Sequence, residues 1–288
     1  MPKRKDLQPI SEDTPMADSD SDTESLDIVN VDFEMFDPQP AHDFHGLKTL
    51  LRQLLDADNT LFDISALTDL ILSQPLLGTT VKVDGNESDP YAFLTVLNMQ
   101  EHHDKPVIQQ LRDYLISRAP ADLKTQLQTL LSPTASTHTG LILTERLINV
   151  PTEIVPPMYK MLLEEITWAI DDGEPYRFSH FLIISKTYTE VASKLDDDAP
   201  RAAKKGKTGK KGGKKGGEVF YFHPEDETIM RKAKAAGGYA YVKEADEGAA
   251  DSKRAFGEFG IVPRGRMMLV EYADLEGVVA DLEGLFKP

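Results

Sequence analysis

The sequence contains no cysteine. Disulfides, thiolate nucleophiles and cysteine-based zinc sites are therefore excluded. Tryptophan occurs once in 288 residues. No stretch approaches the roughly 18 consecutive apolar residues of a membrane span, so membrane insertion is not expected. The opening residues, MPKRKDLQPISEDTP, are charged and polar and lack the apolar core of a secretory signal. The expectation is a soluble nuclear or cytosolic protein. Enzyme motifs are scarce as well. Gly206-Lys-Thr208 imitates the end of a phosphate-binding loop, but that loop needs a glycine where Arg201 stands. Gly257, Gly260 and Gly265 are too irregular for a dinucleotide fingerprint and read as turn glycines before a strand. His42 and His45 can share a helix face and His102-His103 point apart, and no HExxH pattern occurs, so no metal set is expected. The carboxylate runs Asp171-Asp172 and Asp196-Asp197-Asp198 read as solvated.

What is present is charge, unevenly placed. The chain has a net charge of −16. Residues 1–37 hold three bases and eleven acids, and residues 201–217 hold eight bases and no acid. These two contributions cancel, so the remaining body carries the whole excess of acid. Such a body repels phosphates and attracts basic proteins, which argues against direct nucleic-acid binding. Solubility alone is the bland alternative.

Residues 1–27 read as a disordered acidic tail, and residues 28–288 as one domain interrupted at about 196–217 by a disordered basic insert. Within the domain, a strand from Ile28 to Phe36 places Val31, Phe33 and Met35 on one face. Asp43 can cap a helix with Phe44, Leu47, Leu50, Leu51, Leu54 and Leu55 along its apolar stripe. Asp63 opens a second helix. Thr79–Val83 and Ala92–Asn98 read as strands, Pro106 as the first turn of a helix, and Leu123–Leu131 as another. A strand from Leu141 to about Leu147 precedes a helix from Pro157 to Ile170. Strands Phe178–Val191 and Val219–Phe222 flank the insert, which makes it the overgrown tip of a hairpin. Glu225–Ala235 reads as helix and Met267–Tyr272 as strand, with Asp274 capping a last helix. The fold class is α/β, with a mixed sheet covered by helices.

Two short patterns are candidate sites. Lys3, Arg4 and Lys5, with Lys204, Lys205, Lys207, Lys210, Lys211, Lys214 and Lys215, form a candidate nuclear localisation signal. The insert alone could equally be a nucleic-acid patch or an inert linker. It holds no aromatic residue for base stacking, and localisation is preferred. Ser19 and Ser21 each have an acid three residues on, the pattern read by acidophilic kinases, and are candidate phosphorylation sites. Ile64–Leu77 mimics an export signal but is better explained as a helix core.

Longer stretches carry a resemblance. Val31-Asp-Phe-Glu-Met-Phe-Asp-Pro38, Asp43-Phe-His-Gly-Leu47, Thr79–Gly85, Pro90–Leu97, Leu143-Thr-Glu-Arg-Leu-Ile-Asn149 and Ile154–Ile166 resemble the BCCIP family in its fungal Bcp-type branch. The resemblance covers about residues 28–288. It implies a nuclear protein, shuttling to the cytoplasm, without catalysis or a cofactor. It implies a role in nuclear export of a lipid kinase, with nuclear transport receptors as partners, and a role as chaperone of one basic large-subunit ribosomal protein in ribosome biogenesis. Animal relatives bind a DNA-repair tumour suppressor and a cyclin-dependent-kinase inhibitor. It also implies a mostly antiparallel central sheet, similar to that of GNAT acetyltransferases. A working GNAT enzyme binds coenzyme A pyrophosphate with a glycine-rich loop after its fourth strand. Here that connection, Arg146 to Pro157, has no glycine and three prolines, so the coenzyme A loop is missing. The rival expectation is an acetyltransferase with a non-standard cofactor site.

Overall fold

The chain alternates between two hydrophobic periods, and the fold follows from that alternation. The computed structural model describes residues 31–74, 77–190, 218–243 and 260–287. Among them are eight strands: β1 (Glu34–Phe36), β2 (Thr79–Lys82), β3 (Ala92–Asn98), β4 (His138–Arg146), β5 (Phe178–Glu190), β6 (Val219–Tyr221), β7 (Ala235–Tyr239) and β8 (Ile261–Glu271). Seven helices accompany them: α1 (Phe44–Leu55), α2 (Ile64–Leu72), α3 (Pro106–Arg118), α4 (Ala121–Leu130), α5 (Val155–Asp171), α6 (Glu225–Lys232) and α7 (Tyr272–Leu285). The strands form one sheet in the order β1-β2-β3-β4-β5-β8-β7, with β6 on a further stretch of β5. Only β4 and β5 pair in parallel among the described strands, joined through α5.

Side chains in a strand alternate between faces, so each central strand feeds two cores. In β5, Leu182 and Ile184 join a cluster with Leu47, Leu51, Ile108 and Leu127 from α1, α3 and α4. Phe181 and Ile183 join the opposite cluster, with Leu162 and Ile166 of α5 and Val278 and Leu282 of α7. The sheet is thus the middle of three layers. Strands buried on both faces read as unbroken apolar runs, which explains Phe181-Leu182-Ile183-Ile184.

Several expectations hold. Phe33 and Met35 pack on the same core, but Val31, expected on that face too, is exposed, and the strand itself covers only Glu34–Phe36. Asp63 caps α2, its Oδ1 accepting from Ala66 N at 3.0 Å. β5 and β6 pair antiparallel, so the basic stretch lies between the two arms of a hairpin. The start of the first expected strand, 28–30, lies outside the described residues, as do Asp196–Asp198 and Gly257.

Other expectations are corrected. Asp43 does not cap α1 with its side chain. It is fully buried and forms an ion pair of 2.6 Å with Lys82 of β2, which is fully buried too. Lys82 Nζ also donates to the carbonyl of Asn86 at 2.5 Å, and Asp43 Oδ2 accepts from Gln39 N at 2.7 Å. Asp274 does not cap the last helix. That helix begins at Tyr272, directly after β8, and Asp274 sits in its first turn. β7, with the sequence AAGGY, is a strand that its low β-propensity conceals. One of its glycines has a packing reason: a Cβ on Gly237 would run into the Pro120 ring. Gly265 is not a turn residue but lies within β8 under the ring of Tyr239.

The Asp43–Lys82 pair ties the start of α1 to β2. Removing one partner strands a buried charge, at a cost of about 3–5 kcal/mol. Lys82→Met should therefore destabilise the chain by about 3 kcal/mol in urea unfolding. The double variant Asp43→Leu/Lys82→Met should recover at least half of that loss. A double variant as unstable as the sum of the singles would show that the pair is not the unit.

Candidate functional site

β4 and β5 run side by side only as far as the pair Ile142–Ile183. Beyond it β4 stays with β3 to Arg146, while the freed edge of β5 is taken by β6 through Thr187–Tyr221. The two strands therefore part. The chain leaving β6, from His223 to Asp226, enters the gap and starts α6 there.

The gap is lined by charge. Glu145 on β4 is buried and contacts Lys186 of β5 at 2.5 Å and His223 Nε2 at 2.8 Å. Lys186 Nζ also donates to the carbonyl of Gln53 in α1 at 3.1 Å, and lies 5.6 Å from the ring centre of Phe222. Across the sheet, Arg146 grips Glu225 with two hydrogen bonds, Nε to Oε1 at 3.2 Å and Nη2 to Oε2 at 3.0 Å. Its third contact is Nη1 to the carbonyl of Val150 at 3.0 Å, which braces the turn before α5. Ser185 donates its hydroxyl to Asp226. Such forked guanidinium–carboxylate pairing is directional, so it fixes α6 against β4.

The electrostatics follow from burial and pairing. Burial opposes ionisation of Glu145, yet the His223 hydrogen bond and the Lys186 charge outweigh it and hold its pKa below the usual range. Burial would lower His223, but the hydrogen bond and charge of Glu145 reverse this and raise it. Asp226 is pushed up to about 7, by burial first, with the His223 charge opposing and the Glu225 charge assisting. All these groups have partners within the protein. The cavity left among Leu94, Tyr159, Arg146 and Asp226 measures about 10 Å³. That is the lower limit for a single water and far below a nucleotide cofactor. Among the described residues, no three histidine, aspartate or glutamate side chains form a group that could hold a metal ion.

A second feature lies on the outer surface. α5 and α7 pack beside each other over the same core. Glu164, Asp171, Asp172 and Glu174, on and just after α5, and Asp274, Glu276, Asp281 and Glu283 on α7, are all exposed. On these two helices only Lys160 is an exposed base. Acids scattered along the sequence are thus gathered onto one helical layer. The tryptophan, Trp168, stands on it with 62% of its surface exposed.

The sequence-derived candidates fall elsewhere. Lys3, Arg4, Lys5, Ser19, Ser21 and the lysines from Lys204 to Lys215 all lie outside the described residues. Asp171 and Asp172 are exposed as expected, and His42, His45 and His103 are surface residues. The buried network of Glu145, Lys186, His223, Glu225 and Asp226 was not anticipated. Its signal is nonetheless present: Glu145 continues the face of Leu141 and Leu143, and Lys186 that of Leu182 and Ile184. An acid and a base each in phase with core positions are a sequence mark of a buried pair.

The network has a pH signature. Stability from a raised His223 pKa is full below its unfolded value and is lost as pH rises through the raised one. Asp226, raised to about 7, likewise costs stability as pH climbs from about 4 to 7. Glu145 works oppositely, losing its contribution only in acid. The melting temperature should fall as pH rises from about 5 to 8.5, and Asp226→Asn should flatten the part of that fall below about pH 7. An unchanged profile in the variant would refute the role given to Asp226.

A family model described as BCCIP matches residues 28–229. The "Protein bcp1" of Aspergillus fumigatus is 57% identical over 296 residues, covering 100% of this chain and 99% of the relative. The "Protein bcp1" of Schizosaccharomyces pombe is 49% identical, covering 96% of each. Among solved structures, "Crystal structure of BCP1 from Saccharomyces Cerevisiae" matches with a TM-score of 0.62 and 28% identity, over 92% of this chain and 93% of that one. None of these names is that of an enzyme. The chain belongs to the BCCIP family.

Proposed function

We propose that the chain is a non-enzymatic nuclear binding protein. It escorts a basic large-subunit ribosomal protein as a chaperone and serves nuclear export, with nuclear transport receptors as partners and a lipid kinase among its cargo. The observation that carries the escort role is the acidic layer of α5 and α7, on which six exposed carboxylates stand against one exposed base. A surface of that sign speeds encounter with a basic client and covers the face the client would turn to RNA. The export role and the shuttling between nucleus and cytoplasm rest on the family resemblance and on the two basic stretches.

The body is read as GNAT-like without a working coenzyme A site. The GNAT-like reading is supported by the one parallel strand pair among the described residues, which parts around the start of a crossover helix. Loss of the site is supported by what occupies that opening. His223 to Asp226 fill the gap. Pro156 and Pro157 remove amide donors from the first turn of α5, where a pyrophosphate would bind. Glu153 adds a like charge just before it.

Binding to a purified basic ribosomal protein of the large subunit should weaken at least about tenfold between 50 and 300 mM salt, read by calorimetry. An affinity flat in salt would sink the electrostatic reading. Acetyl-coenzyme A should give no heat, and clear micromolar binding would instead favour an acetyltransferase. In cells, deleting residues 201–217 from a fluorescent fusion should dim the nuclear signal, and combining it with neutralised Lys3, Arg4 and Lys5 should dim it further. Full nuclear signal in the combined variant would remove these lysines from the localisation role.

A further inference from the structure

The buried stripe of α5 is Met158, Leu162, Glu165, Ile166 and Ala169. Trp168 lies off that stripe, with 62% of its surface in solvent. An indole is the largest apolar side chain, and its exposure forgoes burial worth about 25 cal/mol per Å². A lone exposed leucine needs no explanation, but an exposed tryptophan with an ordered chemical surround does.

The surround is uniform. Residues three and four apart are neighbours on a helix surface. Around Trp168 those positions are Glu164, Glu165, Asp171 and Asp172, so every one is a carboxylate. Glu164, Asp171 and Asp172 are exposed. Glu165 is buried and accepts from Gly78 N at 2.9 Å. Among the described residues none of the four forms an ion pair with a base. Burial, assisted by the charges of Asp37 and Glu164 and opposed by the Gly78 hydrogen bond, pushes Glu165 up to about 7. The charge is also placed against the helix itself. The last turn of α5 carries no base, and Asp171 and Asp172 stand where free carbonyls already make the end negative. A helix built only for stability would carry lysine or arginine there. Local rules broken without compensation among the described residues point to a compensating group beyond them.

The partner chemistry follows from the two components. The face of an indole attracts a cation, a guanidinium best of all because it is flat and weakly hydrated. Surrounding carboxylates accept its N–H groups and hold further cations of the same segment. We infer that Trp168 with Glu164, Asp171 and Asp172 forms a docking site for an arginine-rich protein segment, one guanidinium stacked on the indole. This site rests on the escort reading and specifies which part of the acidic layer takes the client.

The chain supplies its own probe, because its fluorescence at tryptophan-selective excitation comes from Trp168 alone. Titration of the full chain with a synthetic twelve-residue peptide of alternating arginine and glycine should give saturable quenching. A glutamate–glycine peptide of equal length should give none. The triple variant Glu164→Gln/Asp171→Asn/Asp172→Asn should weaken the arginine peptide by about tenfold, and Trp168→Ala, read by calorimetry, by about fivefold. All four side chains altered are exposed, and circular dichroism melting should stay close to the parent. Binding with no change in emission, or variants that bind like the parent, would overturn the site. Emission that shifts with protein concentration alone, together with dimers in sedimentation, would make a second copy the occupant and overturn it as well. The same variants tested on the basic ribosomal protein separate this inference from the escort reading. A client that binds the parent and Trp168→Ala equally removes the site but keeps the escort. A client that never binds, beside a peptide that quenches Trp168, removes the escort but keeps the site.

Discussion

Two parallel strands that separate partway along must leave a hole in the sheet, and this molecule is organised around filling it. β4 and β5 lose each other after Ile142 and Ile183. From there both strands would expose backbone edges to the interior, where an unpaired amide or carbonyl costs as much as a lost hydrogen bond. β6 takes up the edge of β5, and α6 follows it into the opening. The filling is polar, not apolar, which demands complete pairing. The Arg146–Glu225 fork and the Lys186–Glu145–His223 chain supply most of that pairing from opposite faces of the sheet, while the Tyr159 hydroxyl is left without a hydrogen-bond partner. Each ties a distant stretch to β4: α6 in one case, the end of α1 through Gln53 in the other.

An apolar plug of equal volume could be as stable or more so, because desolvating charges offsets most of what they gain by pairing. What charge adds is register. A forked guanidinium–carboxylate pair has one geometry, whereas aliphatic side chains slide. The same device recurs at the far side of the sheet. Asp43 and Lys82, both fully buried, lock the start of α1 onto β2. Both pairs join the start of a helix to a strand far from it in sequence.

The parts of this fold that were legible in the sequence are those where one residue type has one physical use. The apolar stripes of α1, α2 and α5 and the unbroken run Phe181–Ile184 gave helices and a doubly buried strand. β7 was illegible because Ala-Ala-Gly-Gly carries no strand signal, and its place is set by contacts with Pro120 and β8. Asp43 misled for the opposite reason. An aspartate before an apolar stripe has a common local use, and the side chain was instead claimed by a lysine 39 positions on. The buried network was half legible: strand phase put Glu145 and Lys186 inward, but nothing local says that His223 and Glu225 come to meet them. Spacing along the chain could not gather the surface acids either, since α5 and α7 lie a hundred residues apart and are neighbours only because β8 follows β5 in the sheet.

Inside and outside, this protein treats charge differently, and the contrast is what supports the proposed interaction surface. At the strand gap Glu225 is matched to Arg146 and Glu145 to two bases, while Asp226 accepts from the Ser185 hydroxyl. On the α5–α7 layer Asp281 has a base, Lys232 of α6, while Glu164, Asp171 and Asp172 have none among the described residues. Solubility would be served by acids and bases interspersed, and a net charge well below this one is sufficient for it. A one-sign field concentrated on two adjacent helices repels its own members and costs stability. The one tryptophan of the chain stands in the middle of the unpaired group, on a helix whose other large apolar side chains are buried or half-buried. Surplus charge and surplus apolar surface coincide at Trp168, and a single arginine-bearing partner of the proposed kind would neutralise the first and cover the second.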